Sequence, residues 1–415
     1  MVSIRDKIAS LAGCILEWYD FSLYGFFLPI IAVLYFPNNT ASVACIKTLG
    51  IFSVGFLARP MGALLFGYIS DKYGRTVCLK RTPLLITIPT ACIALLPTYQ
   101  QIGILAPLLL LIARVAQGLC IGGEFSNNIV YLCETAPIKR RYFFGSIGAC
   151  TGSFGMLLGS SMASLCFIFF SHKTLLYGWR IGFGLSILLG LFTYFIRRKM
   201  DETTVYKKLI QEVKTSENPI IESYKNQITD YLKAIGLIYF PATAFYFIFV
   251  FIPNYLNSYF GVQTGKILGD NTLSLLSRLF FIPVIGIIAD QLGGIKIARF
   301  SCLFFLILGE PLFYFLVYQP AKAFFILLIF ALLSTLNAAT TPGLLISLLK
   351  PCTRSTIFSF TFNFSFGIFG GIVPVLSFLI VNLSGNKIAP VYYLLFSAAV
   401  TLATTFCIDQ REMYE

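Results

Sequence analysis

Charge is what this sequence has least of. Only 12% of its 415 residues are Asp, Glu, Lys or Arg, against about 25% in a water-soluble domain, which leaves too little polar surface to cover a particle in water. Histidine occurs once, at His172, so a proton relay built from membrane-buried histidines is excluded. The 11 cysteines stand singly in apolar segments, with no CxxC pair and no His/Cys cluster; neither a disulfide framework nor a metal site is indicated, and the cysteines read as small packing residues. A glycine-rich phosphate loop is missing, so ATP is not the energy source. No nucleophile–base constellation stands outside packing positions. An enzyme and a bound cofactor are therefore not expected.

Long apolar runs are present instead. Hydrophobic residues make up 57% of the chain, with 42 Phe and 22 Tyr. A run of about 18 or more apolar residues reads as a membrane-spanning helix, because about 20 cross the hydrocarbon core. Candidate spans cover 12–36, 48–70, 79–98, 104–132, 143–170 and 177–197, then 231–257, 267–290, 296–318, 321–348, 355–383 and 389–408. The first contains Glu17 and Asp20 and is too long for a signal-peptide core, so it reads as a retained helix. The fold class is thus an all-α membrane protein of twelve helices. It divides into a six-helix bundle over 1–197, a polar linker over 198–230 that has room for an amphipathic surface helix, and a second six-helix bundle over 231–415.

The net charge of +13 would suggest nucleic acid in a soluble protein. In a membrane protein, basic residues collect in cytoplasmic loops. With the N-terminus inside, the linker and the even-numbered loops hold most Lys and Arg, while the outer loops hold only Lys47, Lys173, Lys266, Lys322 and Lys387. Both termini are expected in the cytoplasm, the partner is the lipid bilayer, and no nucleic acid is expected.

An internal repeat supports the two-bundle plan. Arg59, Gly67, Asp71, Gly74 and Lys80 recur as Arg278, Gly286, Asp290, Gly293 and Arg299, each 219 residues later. Two parallel halves related across the membrane normal are a transporter plan. The loop Gly67-Tyr-Ile-Ser-Asp71-Lys-Tyr-Gly74-Arg75 offers a gating device. Asp71 is placed to bond a helix N-terminus or Arg75 across the interface between halves, a contact made in one conformation and broken in another. The alternative is ordinary topogenic charge with a tight turn. Asp290 is its repeat counterpart, where Gly294 replaces the arginine and the latch should be weaker.

This loop resembles the signature loop of the major facilitator superfamily. Glu17-Trp18-Tyr19-Asp20-Phe21 with Tyr24-Gly25 resembles the first helix of that superfamily's metabolite:proton symporters, the group holding proline/betaine, shikimate and 2-oxoglutarate transporters. So do Gly55-Phe56-Leu57-Ala58-Arg59-Pro60, Arg114-Val-Ala-Gln117-Gly118 with Gly122-Gly123-Glu124, Trp179-Arg180, and Arg197-Arg198-Lys199-Met200-Asp201-Glu202-Thr203. The likeness covers most of 12–206; the second half shows mainly the repeated loop. It implies alternating access, a small-molecule substrate taken up with a proton, a monomer, and a bacterial cytoplasmic membrane. The sequence ends at Glu415 without the long coiled-coil extension of osmosensing members, so osmosensing by that device is not expected.

The residues support a site independently. A charge at the centre of a membrane helix costs about 2.5 kcal/mol or more, faces the bundle interior and is functional by default. Glu17, Asp20 and Tyr24 sit at i, i+3 and i+7 on one helix face; Arg114, Gln117, Glu124 and Asn128 share another. Repeat counterparts of Glu17 and Asp20 are Gly236 and Tyr239, and that of Arg114 is Leu333, so charge is concentrated in the first half. Glu17, Asp20 and Glu124 are the candidate proton carriers. Arg59 and Arg114 are candidate partners of a substrate carboxylate, with Tyr24, Gln117 and Asn128 beside them. The competing expectation is a pair of structural locks, Arg59–Asp20 or Arg114–Glu124. Arg180 reads as an interfacial anchor, and Arg278 and Glu310 are a possible pair. The fifth span carries Gly145, Gly148, Gly152, Gly155 and Gly159 on one face, which suits close helix packing, and it lacks the Gly-Pro pair of the superfamily's antiporters. Aromatic residues of the second half are candidates for boxing a quaternary ammonium. Three functions remain: proton-coupled symport of a small carboxylate or zwitterion, efflux or antiport of a drug-like compound, and a transporter-like sensor.

Overall fold

The computed structural model describes residues 3–39, 41–170, 172–212 and 215–409. Among these, ten helices are long and apolar enough to cross a membrane. A bent pair, Ile4–Phe26 and Leu28–Tyr35, and the shorter apolar helix Val391–Phe406 accompany them, matching the twelve candidate spans. The sequence fold class therefore stands. The chain forms two compact units: Met1–Thr135 with Thr151–Ile220, and Ala136–Cys150 with Ile221–Glu415.

Several helices outrun their apolar runs. The first begins at Ile4, eight residues before the candidate span, because Ser3 caps it by accepting from the Asp6 amide, which satisfies one of the open donors of a helix start. It breaks at Phe27 and turns by 61°. Pro29 stands in the first turn of the next segment, where its ring and missing N–H oppose an unbroken helix. The second span runs Ala41–Tyr73 and the third Arg75–Leu95. One residue, Gly74, makes the turn between them at φ 119°. Its repeat counterpart Gly293 does the same at φ 91° between Thr264–Leu292 and Gly294–Tyr318. Both angles lie where a Cβ is strained, so the repeat is expressed in the backbone.

Helix faces are inverted relative to a soluble protein. On the second span Leu57, Met61 and Leu65 are 62%, 70% and 55% exposed, whereas Arg59 is 4% exposed. Apolar side chains point outward and the charge inward, as hydrocarbon solvent requires. In the first unit the second span packs against the fourth, Leu105–Ile121 with Glu124–Glu134, almost backbone to backbone. A Cβ on Gly118 would meet the Gly55 carbonyl, one on Gly122 the Arg59 carbonyl, and one on Gly62 the Leu119 carbonyl. The glycine face of the fifth span, Arg141–Phe169, packs in the same way on the first: a Cβ on Gly152 would stand 3.2 Å from the Trp18 ring, one on Gly155 would meet the Ile15 carbonyl and one on Gly159 the Ser22 hydroxyl. Small residues allow such approach.

The sixth span is His172–Arg197, and the linker holds two eight-residue helices, Thr204–Gln211 and Pro219–Asn226. In the second unit, π-helical turns interrupt the seventh span at Phe247–Phe251 and the eleventh at Ser365–Gly370. The sequence signals neither. Arg411, one of the basic residues expected on the cytoplasmic side, lies outside the described residues.

Candidate functional site

Two glycine-mediated contacts, second span on fourth and fifth on first, draw the polar faces of the first unit together. Glu17, Asp20 and Tyr24 are all buried on the first helix. Arg59 donates from Nη2 to Glu17 Oε1 at 2.8 Å, with its guanidinium 5.5 to 5.7 Å from the Trp18, Phe21 and Phe56 rings. Asp20 Oδ2 accepts from Thr90 Oγ1 at 2.5 Å and from Gln117 Nε2. Gln117 in turn accepts on Oε1 from Arg114 Nη1. An unbroken polar chain thus runs Arg114–Gln117–Asp20–Thr90 across three helices.

Arg114 is the unusual member. It is 1% exposed and its Nε and Nη2 have no hydrogen-bond partner. Its plane lies 4.1 Å from the Tyr24 ring centre, 5.0 Å from Phe21 and 5.3 Å from Phe52. Stacking on aromatic faces offsets part of the burial cost, but buried donors without a partner are expensive. Asn128 is buried with both side-chain amide atoms unpaired. Tyr24 is held by its hydroxyl, which donates to the Thr48 carbonyl at 3.3 Å. Unsatisfied donors and acceptors on named site residues are what a polar ligand would complete.

The expected locks are rearranged. Arg59 pairs with Glu17, not with Asp20. Glu124 pairs with Arg197, not with Arg114: Arg197 Nη2 and Nη1 reach the two carboxylate oxygens at 2.5 and 3.0 Å, and Thr82 donates to Glu124 as well. The remaining Arg197 donors take the Ala9, Leu79 and Ser10 carbonyls, so the guanidinium is completely satisfied. Sequence reasoning placed Arg197 at the basic edge of the linker and missed it. The helix instead carries that edge inward to the end of the first span.

The signature loop makes a second buried cluster. Arg75 bonds Asp71 at 2.5 Å and Glu134 at 3.1 and 3.2 Å, and all three residues belong to the first unit. Glu202 accepts from the Thr76 amide at 2.9 Å and so caps the third span. Glu134 escaped the sequence reading, and Glu202 stood there only inside the motif 197–203, with no role assigned. Gly67 lies on the buried face beside the loop, and Gly74 makes the turn itself. In the second unit, where Gly294 replaces the arginine, Asp290 caps the fifth span, accepting from the amides of Tyr142 at 2.9 Å and Phe143 at 3.1 Å. The helix N-terminus supplies the positive partner there.

Other expectations resolve plainly. Arg180 donates to the Leu96 carbonyl at 2.8 Å and stacks on Trp179. Arg278 and Glu310 do not pair: Glu310 is exposed and accepts from Tyr392 at 3.0 Å, whereas Arg278 is buried. In the second unit Asn337, Thr340, Thr341 and Asn363 bond carbonyls of helices.

Residues 7–226 match the family model described as sugar (and other) transporter. The chain is 30% identical over 409 residues to the proline/betaine transporter of Escherichia coli K12, covering 95% of this chain and 81% of that one. It is 29% identical over 413 residues to a glycine betaine/proline/ectoine/pipecolic acid transporter of Dickeya dadantii, covering 97% and 82%. Among solved structures it resembles a proton:xylose symporter of the major facilitator superfamily, with TM-score 0.78 at 14% identity over 97% of this chain and 94% of that one. The Escherichia coli fucose:proton symporter gives 0.72 at 12% identity over 99% and 100%. With its inverted helix faces, its repeated Gly-turn and its buried polar chain, this protein belongs to the sugar (and other) transporter family of the major facilitator superfamily, and it is a multi-pass membrane transporter and not an enzyme.

Proposed function

We propose that the chain takes up a small zwitterion of the proline or betaine kind together with a proton. The observation that carries this reading is Arg114, a buried guanidinium with two nitrogens unbonded and an aromatic wall beside it. A carboxylate matches those donors in charge and geometry, and the Phe21, Tyr24, Phe52 and Phe56 rings suit the substituted ammonium at the other end. The names of the relatives supply the substrate class and those of the structural neighbours the coupling ion. Arg59, Gln117, Tyr24 and Asn128 complete the binding side.

Asp20 is our first choice of proton carrier. It touches Arg114 through one residue, Gln117. A solute carboxylate on Arg114 competes for the same cation as Gln117 Oε1, and releasing Gln117 weakens its donation to Asp20. Loss of a donor favours the protonated carboxyl, so solute and proton bind together. Glu17, neutralised by Arg59, is the second choice. Glu124, clamped by Arg197, serves as a positioning group in this scheme. Asp71, Arg75, Gly67, Gly74 and Asp290 act in gating between halves 1–197 and 231–415, joined by 198–230. We place both termini in the cytoplasm of a bacterial inner membrane, on the distribution of basic residues, and take the working unit as a monomer.

The test is uptake of labelled proline, betaine, 2-oxoglutarate and shikimate into proteoliposomes, with and without an inward proton gradient. Wild type should accumulate proline or betaine only with the gradient. Asp20→Asn should lose accumulation yet retain exchange of labelled for unlabelled solute. Accumulation that survives in Asp20→Asn overturns the assignment of the proton, and absence of flux for all four compounds in folded protein overturns the uptake reading.

A further inference from the structure

The second unit holds a buried cation that no carboxylate among the described residues neutralises. Arg278 is 8% exposed. Among the described residues it makes no ion pair and no hydrogen bond, and its Nε is unpartnered. Its repeat counterpart Arg59 has Glu17; at the matching position the second unit has Gly236, and the space a side chain would need there is filled by Thr404. Phe245 and Phe249, one helical turn apart on the seventh span, place their rings 5.4 and 5.5 Å from the guanidinium.

The eighth span continues the polar surface. Asn271, Ser274 and Arg278 stand at i, i+3 and i+7 on its buried side. The Asn271 amide donates to the Phe249 carbonyl at 3.2 Å while its Oδ1 stays unpaired. An unbonded cationic donor and an unbonded acceptor therefore lie about 10 Å apart along one helix face, beside an aromatic wall.

We propose that Arg278 is a second carboxylate-binding site, in the second unit, and that it contributes to recognition of the transported solute. The proposal rests on the zwitterion reading for the identity of the solute, but not for the carboxylate chemistry. A buried guanidinium without a counter-charge gains a charge-assisted, two-pronged pair from a carboxylate, and a chain with no fixed acid there leaves that place to the ligand. Cys150 reports on the site: its thiol lies against the Leu279 carbonyl, one residue from Arg278.

Full-length protein in proteoliposomes provides the test. For whichever solute the wild type exchanges, Arg278→Gln should raise KM by about tenfold or more with kcat changed only a few-fold, and Arg278→Lys should recover part of the loss. Independently, in protein retaining Cys150 as its only cysteine and keeping Arg278, the solute or acetate should slow alkylation by N-ethylmaleimide, while an uncharged amide analogue should not. Unchanged KM in an Arg278→Gln protein that still transports, or alkylation indifferent to every carboxylate, overturns the proposal. Protection by acetate in a protein that moves neither proline nor betaine sinks the uptake reading and sustains the Arg278 site.

Discussion

At the scale of single residues, the first unit contains two kinds of buried arginine. Arg197 has every donor satisfied and both oxygens of Glu124 in its grip. Arg114 has nitrogens with no partner. The first kind is fitted to hold structure; the second is the one that our proposal assigns to the solute. Removing one member of a buried pair strands the other charge at a cost of about 3–5 kcal/mol. Glu124→Gln and Arg197→Gln should therefore each lower the unfolding midpoint in detergent sharply, and the double variant should be less destabilised than the sum of the two. A fully stable Glu124→Gln protein that loses only proton-driven accumulation would return Glu124 to the proton path. Glu17, Asp20 and Arg114 were legible in the sequence because a charge in an apolar run is costly and so conspicuous. Arg197, Glu134 and Glu202 were not, since they lie where apolar runs meet polar stretches and a charge there is ordinary. The motif Arg197-Arg198-Lys199-Met200-Asp201-Glu202-Thr203 was a visible signal for Arg197 and Glu202, but it said nothing about direction, and Glu134 had no such signal.

At the scale of elements, glycine positions decide where the charges meet. Gly118→Ala would drive a Cβ into the Gly55 carbonyl, and backbone cannot give way as a flexible side chain can. Overpacking of this kind costs about 1–3 kcal/mol. It should also shift Arg114 against the first helix, so a raised KM is expected along with a lowered midpoint. Gly74→Ala adds a strained φ of 119° to a clash with Glu202. Gly293→Ala carries only the strained φ of 91°, with open space around it. Thermal unfolding should therefore rank Gly74→Ala as the more damaging, beyond the about 1–2 kcal/mol that a left-handed residue costs; equal effects would remove the role assigned to Glu202. Helix existence was legible from apolar length. Helix ends were not, because caps such as Ser3 and Glu202 extend helices through polar turns that hydropathy ends early. The two π-helical turns left no trace in composition.

At the scale of the whole molecule, the bilayer is the solvent that explains the exposed faces. Met61, 70% exposed on the second span, should face lipid. Met61→Lys is expected to reduce membrane-inserted protein, at about 2.5 kcal/mol or more if the site is central, with Met61→Leu as a neutral control; normal insertion of the Lys variant would show that this face is not in hydrocarbon. The sequence by itself determined the class of solvent, the twelve apolar segments, the 219-residue repeat and the set of charges buried in membrane. These follow from transfer energies, which act residue by residue along the chain and need no knowledge of neighbours. Only the tertiary structure decided which charge meets which: Arg59 with Glu17, Glu124 with Arg197, Arg75 with Glu134, and Arg114 and Arg278 with no carboxylate among the described residues. Pairing depends on helix rotation and on ångström-scale approach between spans, which glycine contacts distant in sequence fix, and no local pattern encodes it.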